Sequence, residues 1–463
     1  MRYDITTLLN RTKKRVRVRA LERDIRMLRA LARGMQRQRP EQRLVQEALD
    51  KQRLFFLVRF RDLFNAEKNR TPDSKAMIAK EVLKTYDELD AEARKVVVHA
   101  SVQRQLTEIG LGLRASNDES DCRDVHGTHW KGNEVKKSVS IETKNRDDEE
   151  GVFVSGDRDM GDVVSLYPGI VYAKDALRFM RGYPNVAREN EYLVARFDDA
   201  VVDAKPWEDA RRKSSTSGSG SSGAGSGVDS NWPGFPLVTG DCDGDEGKNR
   251  EIVVGALKKD WVEKLPKWLE KLSRPILNER IKRACLNVSR DLIDLKNPYA
   301  FAHKANHPPK GELPNVMICM HDYDIEKGVE EAFRILSRGI GDYEEKDETK
   351  RDRMRKSLRA AIPNVYLSND IRDYERFDSS KNRNSFKSKF AALFEDGNDS
   401  VKHMSENEIM NMVTKAAPTI VLVATREIKH GEELFLDYRL SSHVPRPDWY
   451  VPVDSDGEER RWS

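Results

Sequence analysis

Six short apolar runs, spread over residues 151–428, constrain the fold of this 463-residue chain more than any other feature. Each has the length of a strand, is rich in β-branched side chains and is bounded by Gly, Pro, Asp or Asn, as buried strands are. The runs are GVFVSG, DVVSLYPGIVY, EYLVARFDDAVVD, LPNVMICM, IPNVYLS and TIVLVATREI. Long charged or helical stretches separate them, so we expect one β-rich domain assembled from distant parts of the chain.

The chain before these strands has the periodicity of amphipathic helices. The first apolar face consists of Leu21, Ile25, Leu28 and Leu31, and the second is an aromatic stripe that includes Phe55, Phe56, Phe60 and Phe64. A third helix is predicted to begin with Thr71 as its cap and Pro72 at its first position. Its expected buried side consists of Met77, Ile78, Val82, Leu83 and Tyr86. Residues 18–110 are therefore predicted to form a helical bundle.

These patterns divide the chain into four parts. Residues 1–114 form a basic arm and a helical region, residues 115–147 a polar loop, residues 148–440 the β-rich domain and residues 441–463 a C-terminal tail. Three inserts are expected inside the β-rich domain, at residues 203–250, 323–361 and 370–415. The first contains the flexible linker SSTSGSGSSGAGSG, and the second is a charged helical segment. The predicted fold class is α+β.

Composition excludes several classes of protein. No run approaches the roughly 18 to 20 apolar residues that a membrane-spanning helix needs, and the apolar core of a secretory signal is missing. The cysteines lie far apart, which argues against a zinc cluster or a disulfide framework and fits a reducing compartment. They are Cys122, Cys242, Cys285 and Cys319. We expect an intracellular protein, nuclear or cytoplasmic, with no membrane partner and no structural metal.

Positive charge is concentrated at the N-terminus. Residues 1–40 carry 13 Lys and Arg against 3 Asp and Glu, although the whole chain has a net charge of only +4. Such an arm is suited to nucleic acid or to an acidic surface, and a solvated helix face explains it equally well. A mitochondrial presequence is less favoured, because such peptides avoid acids and this arm contains Asp4, Glu22 and Asp24.

Four segments resemble, in the same order, the motifs of the SET-domain methyltransferase family. They are Gly151-Val152-Phe153, Tyr167-Pro168-Gly169, Asn306-His307 with Pro314-Asn315, and ATREIKHGEEL followed by Tyr438. The resemblance covers about residues 148–202 and 290–440, and it is closest to the subgroup that includes SET domain-containing protein nine. It implies a SET domain in which the C-terminal segment is threaded under the strand after the Asn-His motif, a pseudoknot that few proteins contain.

The resemblance also implies a function, which is transfer of a methyl group from S-adenosylmethionine to a lysine side chain of a protein. It makes Tyr438 the catalytic residue. The residues expected to bind the cofactor are Gly151, Val152, Phe153, Asn306, His307 and Tyr438. Tyr167 and Tyr299 are candidates for the lysine channel, although ordinary core packing is the more common role for such residues. Glu432 and Glu433 are adjacent carboxylates, and both are expected to face water.

The chemistry explains these residue types. A sulfonium is a cation, so oxygen atoms and aromatic rings around it stabilise the methyl group as it moves. The acceptor is a neutral amine that attacks in line, and the enzyme mainly aligns the two reactants. Two adjacent aromatic residues stand in a polar tail, and the hypothesis is that either Trp449 or Tyr450 folds over this site.

Two alternatives to this function are compatible with the sequence. Glu149 replaces a glycine of the family pattern and the Asn-His motif is stretched, which leaves a catalytically inactive SET-fold binding or scaffold protein possible. A metal site is the other alternative, with His303, His307, His321 and Asp322 as ligands. Pro308-Pro309 argues against it, because the helix that would align His303 with His307 cannot continue there.

Overall fold

The described part of the chain consists of several separate ranges. The structure, a computed structural model, describes residues 40–67, 72–117, 133–137, 150–174, 192–208, 279–294, 297–340, 347–368, 372–375, 404–440 and 449–462, with the shorter pieces 176, 190, 377 and 446–447. Residues 1–39, Thr71, Glu149 and the linker at 214–227 lie outside it. The predictions for the basic arm, the helix cap and the linker therefore stay predictions.

The elements alternate between short strands and longer helices. The helices are α1 (Pro40–Ala66), α2 (Pro72–Glu88), α3 (Ala91–Asn117), α4 (Glu279–Asp294), α5 (Ile325–Ile340), α6 (Glu348–Ala361), α7 (Arg372–Glu375), α8 (Glu406–Lys415) and α9 (Ser455–Trp462). The strands are β1 (Asn133–Lys137), β2 (Glu150–Val154), β3 (Val163–Tyr167), β4 (Gly169–Tyr172), β5 (Leu193–Ala195), β6 (Val201–Asp203), β7 (Val316–Asp322), β8 (Asn364–Leu367) and β9 (Pro418–Ala424). All six apolar runs form strands, and the mixed α+β class is confirmed.

The described strands form three small sheets. β1 pairs with β2, β9 lies between β3 and β7, and the third sheet has the order β5-β6-β4-β8. β4 and β8 are parallel, and the other pairs are antiparallel. Every residue of β9 is buried, so this strand is the centre of the domain. A central strand buried on both faces explains why its sequence is continuously apolar.

Two apolar clusters lie on opposite faces of β9. Alternate residues of a strand point to opposite faces. Ile420 and Leu422 belong to one cluster, called here the front cluster, which also contains Val152, Ala305 and Leu434. Val421 and Val423 belong to the back cluster, which also contains side chains of α3, α5 and α6. The described part of the charged insert at 323–361 is therefore mainly helical, as predicted, and its apolar side chains belong to the core.

Two sequence expectations need correction. A strand, β1, lies inside the 115–147 stretch for which a polar loop was predicted, because its backbone pairs with β2 despite the polar sequence NEVKK. On α2, Ile78 and Val82 are buried, but Met77 is 71% exposed and Leu83 54% exposed. The two exposed residues flank the face that packs on α1, and a helix of this bundle buries only a narrow stripe.

The helical region packs directly on the strands. Arg61 of α1 donates a hydrogen bond of 2.6 Å to Asp162, and Gln105 of α3 accepts one of 2.7 Å from the amide of Val163. Gly161, at φ = 89°, lies so close to α1 that a Cβ would overlap the carbonyl of Leu57. None of the helices in the described ranges is long and apolar enough to cross a membrane.

Candidate functional site

The segment after β9 runs between two parts of the chain that are distant in sequence. On one side, the amide of Leu436 donates to the carbonyl of Asn306 at 2.8 Å, and the amide of Val316 donates to the carbonyl of Phe435 at 3.2 Å. These bonds belong to parallel bridges from Asn306 to Phe435 and from Val316 to Leu436. They bring the end of the GEEL motif next to the Asn-His motif, although about 130 residues separate the two in sequence.

The other side of this segment pairs with β2. The amide of Leu434 donates to the carbonyl of Val152 at 2.8 Å, and the amide of Val154 donates to the carbonyl of Glu432 at 3.0 Å. Because β1 pairs with the opposite edge, β2 has neighbours on both edges. Gly151, Val152 and Phe153 are buried at this junction. The structure thus brings three of the four resembling motifs together.

Asn315 holds the same segment from the start of β7. Its side-chain amide donates to the carbonyl of Glu433 at 2.7 Å, and its side-chain oxygen accepts from the amide of Phe435 at 2.7 Å. An asparagine side chain carries a donor and an acceptor in one group, so it can form both of the hydrogen bonds that a neighbouring strand would form. Asn315 therefore fixes the register of the segment that ends at Tyr438.

Tyr438 lies next to the Asn-His motif. Its hydroxyl donates to the carbonyl of Ala305 at 2.9 Å, and its amide donates to Nδ1 of His307 at 3.3 Å. The residue is 37% exposed, so it lines a surface that solvent reaches. Since the hydroxyl proton is committed to Ala305, any further partner meets the phenol oxygen as a hydrogen-bond acceptor. The arrangement presents two oxygens, a phenol and a carbonyl, side by side.

His307 connects Tyr438 to the C-terminal tail. Its Nε2 lies 2.7 Å from the carbonyl of Val451, which accepts only, while its Nδ1 accepts from Tyr438. Both bonds together require the tautomer with the proton on Nε2. The ring of Tyr450 lies 4.5 Å from that of His307, and the ring of Trp449 lies 6.0 Å from that of Tyr438. The tail aromatics thus contact His307 and Tyr438, and the hypothesis that one of them covers a pocket stays a prediction.

Glu433 departs from the expectation that both carboxylates face water. It is only 6% exposed, and its Oε1 accepts a hydrogen bond of 2.9 Å from the side-chain amide of Asn306. A Cβ at Gly151 would overlap this carboxylate. Residues 433–436 are all buried. Because buried and exposed residues do not alternate here, the sequence pattern does not show that Glu433 points inward. Glu432, in contrast, is partly exposed and pairs with Arg426.

The two tyrosines proposed for the lysine channel lie in different clusters. Tyr167 is buried in the front cluster, where burial and then the neighbouring Tyr438 raise its pKa well above the ordinary value. Tyr299 belongs to the back cluster, and its carbonyl accepts from the amide of Leu166 at 2.7 Å. Tyr167 is therefore within electrostatic range of Tyr438, whereas the placement of Tyr299 fits core packing.

A buried ionic cluster lies beside the site, and sequence reasoning missed it. Nζ of Lys304 lies 2.9 Å from Glu208 and 3.1 Å from Glu150, and Nε2 of His303 lies 3.2 Å from Glu208. The side chains of Lys304, His303 and Glu208 are almost inaccessible, so mutual pairing has to offset their desolvation. The nearest sequence signal is His303, a ligand of the alternative metal site. In the described ranges, no three His, Cys, Asp or Glu side chains are grouped as metal ligands.

The site is therefore a junction of β2, the Asn306-His307 pair, Asn315 and the segment that ends at Tyr438, and aromatic residues of the tail contact it. Comparison with known proteins found no matching family model, no matching curated protein and no matching solved structure.

Proposed function

We propose that this chain is an S-adenosylmethionine-dependent methyltransferase with a SET domain, and that it transfers methyl groups to lysine side chains of a protein. The observation that carries the proposal is the position of the Tyr438 hydroxyl, 2.9 Å from the carbonyl of Ala305 and directly beside the Asn306-His307 pair. Tyr438 and Ala305 lie 133 positions apart in the chain. The proposed function explains why they meet.

The same proposal accounts for the path of the C-terminal segment. Residues 434–436 pair with β2 on one side and with Asn306 and Val316 on the other. A threaded pseudoknot of the SET type would produce this double pairing. Long inserts before the threaded segment are compatible with it, because the entropy of loop closure rises only slowly with loop length.

The residues present fit a sulfonium donor. A sulfonium is attracted to oxygen atoms and to the faces of aromatic rings. The phenol of Tyr438 and the carbonyl of Ala305 supply the oxygens, and the rings of Trp449 and Tyr450 supply an aromatic wall. Asn306, His307 and the backbone of Gly151–Phe153 are the proposed contacts for the rest of the donor. S-adenosylmethionine would supply an activated methyl group.

The chain's own residues would align the reactants. The phenol oxygen of Tyr438 accepts rather than donates, because its proton is held by Ala305, and it can therefore attract the positively polarised methyl group. Tyr167, the neighbour whose pKa is raised by burial and then by Tyr438, stays a neutral phenol. A neutral wall next to the acceptor amine favours the unprotonated amine that attacks. Preorganised alignment of this kind is the main source of rate in a direct displacement.

A catalytically inactive SET-fold binding or scaffold protein is the second candidate. The observation that favours it is the pairing of β2 with β1 on one edge and with residues 431–434 on the other. Backbone groups engaged in two ladders are less available to a ligand. In this candidate, the junction of segments would serve folding alone.

Titration with S-adenosylmethionine and a methyl-transfer assay separate the two candidates. Wild type should bind the donor and label an acceptor in whole-cell extract with radioactive methyl. Tyr438→Phe should bind the donor within about twofold of wild type but transfer about 10²–10³-fold more slowly, as when one electrostatic stabiliser is removed. Tyr86→Phe, which changes a tyrosine remote from the site, is the control. Absence of donor binding in wild type would leave the scaffold candidate.

A further inference from the structure

Helix α1 contacts the residue that follows Tyr438. Asp50, which is only 6% exposed, accepts two hydrogen bonds from the guanidinium of Arg439, at 2.6 Å and 3.0 Å. A bidentate pair fixes the orientation of the guanidinium as well as its position. The two residues are 389 positions apart in the chain. The pair therefore joins the helical N-terminal region to the end of the candidate site.

The backbone of Arg439 is left-handed, with φ = 51°. This conformation is unfavourable for residues other than glycine, and it persists only where surrounding contacts hold it. Asp437 supplies one such contact, because its Oδ1 accepts from the amide of Arg439 at 3.1 Å. Asp50 supplies the stronger one. The chain thus changes direction directly after Tyr438 at a residue that an ion pair restrains.

Further hydrogen bonds connect this pair and the residue after it to the C-terminal tail. The side-chain amide of Gln46 donates to Asp50 at 3.0 Å, and its oxygen accepts from Arg461 of α9 at 3.3 Å. After Arg439, the amide of Leu440 donates to the hydroxyl of Tyr450 at 3.1 Å. α1, the turn at Arg439 and the tail consequently form one connected polar network beside Tyr438.

We propose that Asp50 is a positioning residue of the methyl-transfer site, and that it sets the location of Tyr438 by holding Arg439 in its left-handed conformation. The proposal rests on the proposed function and adds α1 to the working parts of the site. Of the proposed donor contacts, only the phenol of Tyr438 and the aromatic wall adjoin this network, and those on Asn306, His307 and β2 are not touched by Asp50 in any described contact. A change at Asp50 should therefore affect transfer and leave donor binding intact.

The first test compares Asp50→Asn with Glu47→Gln in the full chain. Glu47 lies on the same helix and pairs with Lys51, so its variant removes a charge from α1 without touching Arg439. With radiolabelled S-adenosylmethionine and whole-cell extract, Asp50→Asn should lower the transfer rate at saturating donor at least tenfold, with the donor Kd within twofold of wild type. Glu47→Gln should stay within twofold in both. A transfer rate within twofold of wild type for Asp50→Asn overturns the proposal.

The second test separates positioning from general stability. Glycine adopts the left-handed conformation without strain, so Arg439→Gly should retain most of the transfer rate, whereas Arg439→Ala should lose it at least tenfold. In the Arg439→Gly background, Asp50→Asn should have no further effect, because the conformation no longer depends on the pair. A full tenfold loss from Asp50→Asn in that background overturns the proposal.

A third readout does not depend on activity. Fluorotyrosine placed at position 438 should give a different fluorine NMR shift in Asp50→Asn than in an otherwise wild-type chain, and Arg439→Gly should restore the original shift. An unchanged shift in Asp50→Asn overturns the positioning role. If wild type fails to bind the donor, the proposed methyltransferase function fails, whereas this shift still decides whether Asp50 positions residue 438.

Discussion

At the scale of single residues, Gly151 and Glu433 illustrate how tightly the junction is packed. Glu433 reaches across to Asn306, and the space where a side chain at position 151 would lie is filled by its carboxylate, with the amide of Asn306 next to it. The small residue is therefore required by the approach of two other side chains. A buried carboxylate that lost the Asn306 amide would keep its desolvation cost without the bond that offsets it.

Gly151→Ala is expected to destabilise the protein. The added Cβ would overlap the Glu433 carboxylate and displace it from Asn306, and overpacking of this kind costs about 1–3 kcal/mol. Gly112→Ala is the matched control, because a Cβ there meets nothing within 4 Å and alanine favours the helix by about 0.5–1 kcal/mol. Urea unfolding of both variants measures the difference. Equal stability of Gly151→Ala and wild type would contradict the packing described for this junction.

At the scale of elements, α3 and β7 meet through two histidines. The rings of His99 and His321 lie 4.8 Å apart, and Nε2 of His321 is 3.1 Å from the side-chain oxygen of Gln103. Burial lowers the pKa of His321 well below its ordinary value, and the charges of His99, Arg196 and Lys327 lower it further. Burial also lowers the pKa of His99. The contact between the helical region and the central sheet thus requires neutral imidazoles.

This contact should make stability depend on pH. Because the folded pKa of each histidine lies below the unfolded value of about 6.5, the unfolded chain binds more protons in mildly acidic solution. The stability that the neutral histidines contribute is fully present above about pH 6.5. It is lost as the pH falls towards the folded pKa values, and for His321 the free energy of unfolding falls by up to about 1.4 kcal/mol per pH unit. Urea unfolding between pH 7.5 and 5 measures it. The free energy of unfolding should depend less steeply on pH in the double variant H99Q/H321Q. An unchanged dependence on pH would show that other groups cause it.

At the scale of the whole molecule, the first described helix, α1, and the C-terminal tail both contact residues at the candidate site. α9 packs on α1, and between them Arg461 bonds to Gln46. Tyr450 rests on His307, and its hydroxyl donates to Glu458 at 2.8 Å. Burial and then this bond to Glu458 raise the pKa of Tyr450. The described part of the tail therefore packs on α1 and on the site residues, although its sequence is mostly polar.

A chain that stops after residue 444 should lose this cover. It lacks Trp449, Tyr450 and the carbonyl of Val451 that holds His307. We expect S-adenosylmethionine to bind at least about tenfold more weakly, equivalent to about 1.4 kcal/mol, as measured by calorimetric titration. A chain lacking only Ser463 is the control and should bind as the full chain does. Equal donor affinity in the chain that ends at 444 would show that the tail does not cover the site.

The sequence by itself determined the strands from β2 to β9 and the order of the motifs. β9 is a continuous apolar run because both of its faces are buried, and β8 was recognisable from IPNVYLS for the same reason. The position of Tyr438 after GEEL was also readable, since it depends on local chain distance alone. These features are local, so composition and spacing carry them.

Only the tertiary structure decided which groups meet. Glu433 turns inward because Asn306, 127 positions away, offers it a donor, and Asp50 matters because Arg439 reaches it across 389 positions. The polar strand β1 exists because β2 supplies a pairing edge. In each case the partner's distance along the chain leaves no local pattern, and the free energy of the contact appears only when the fold brings both groups together.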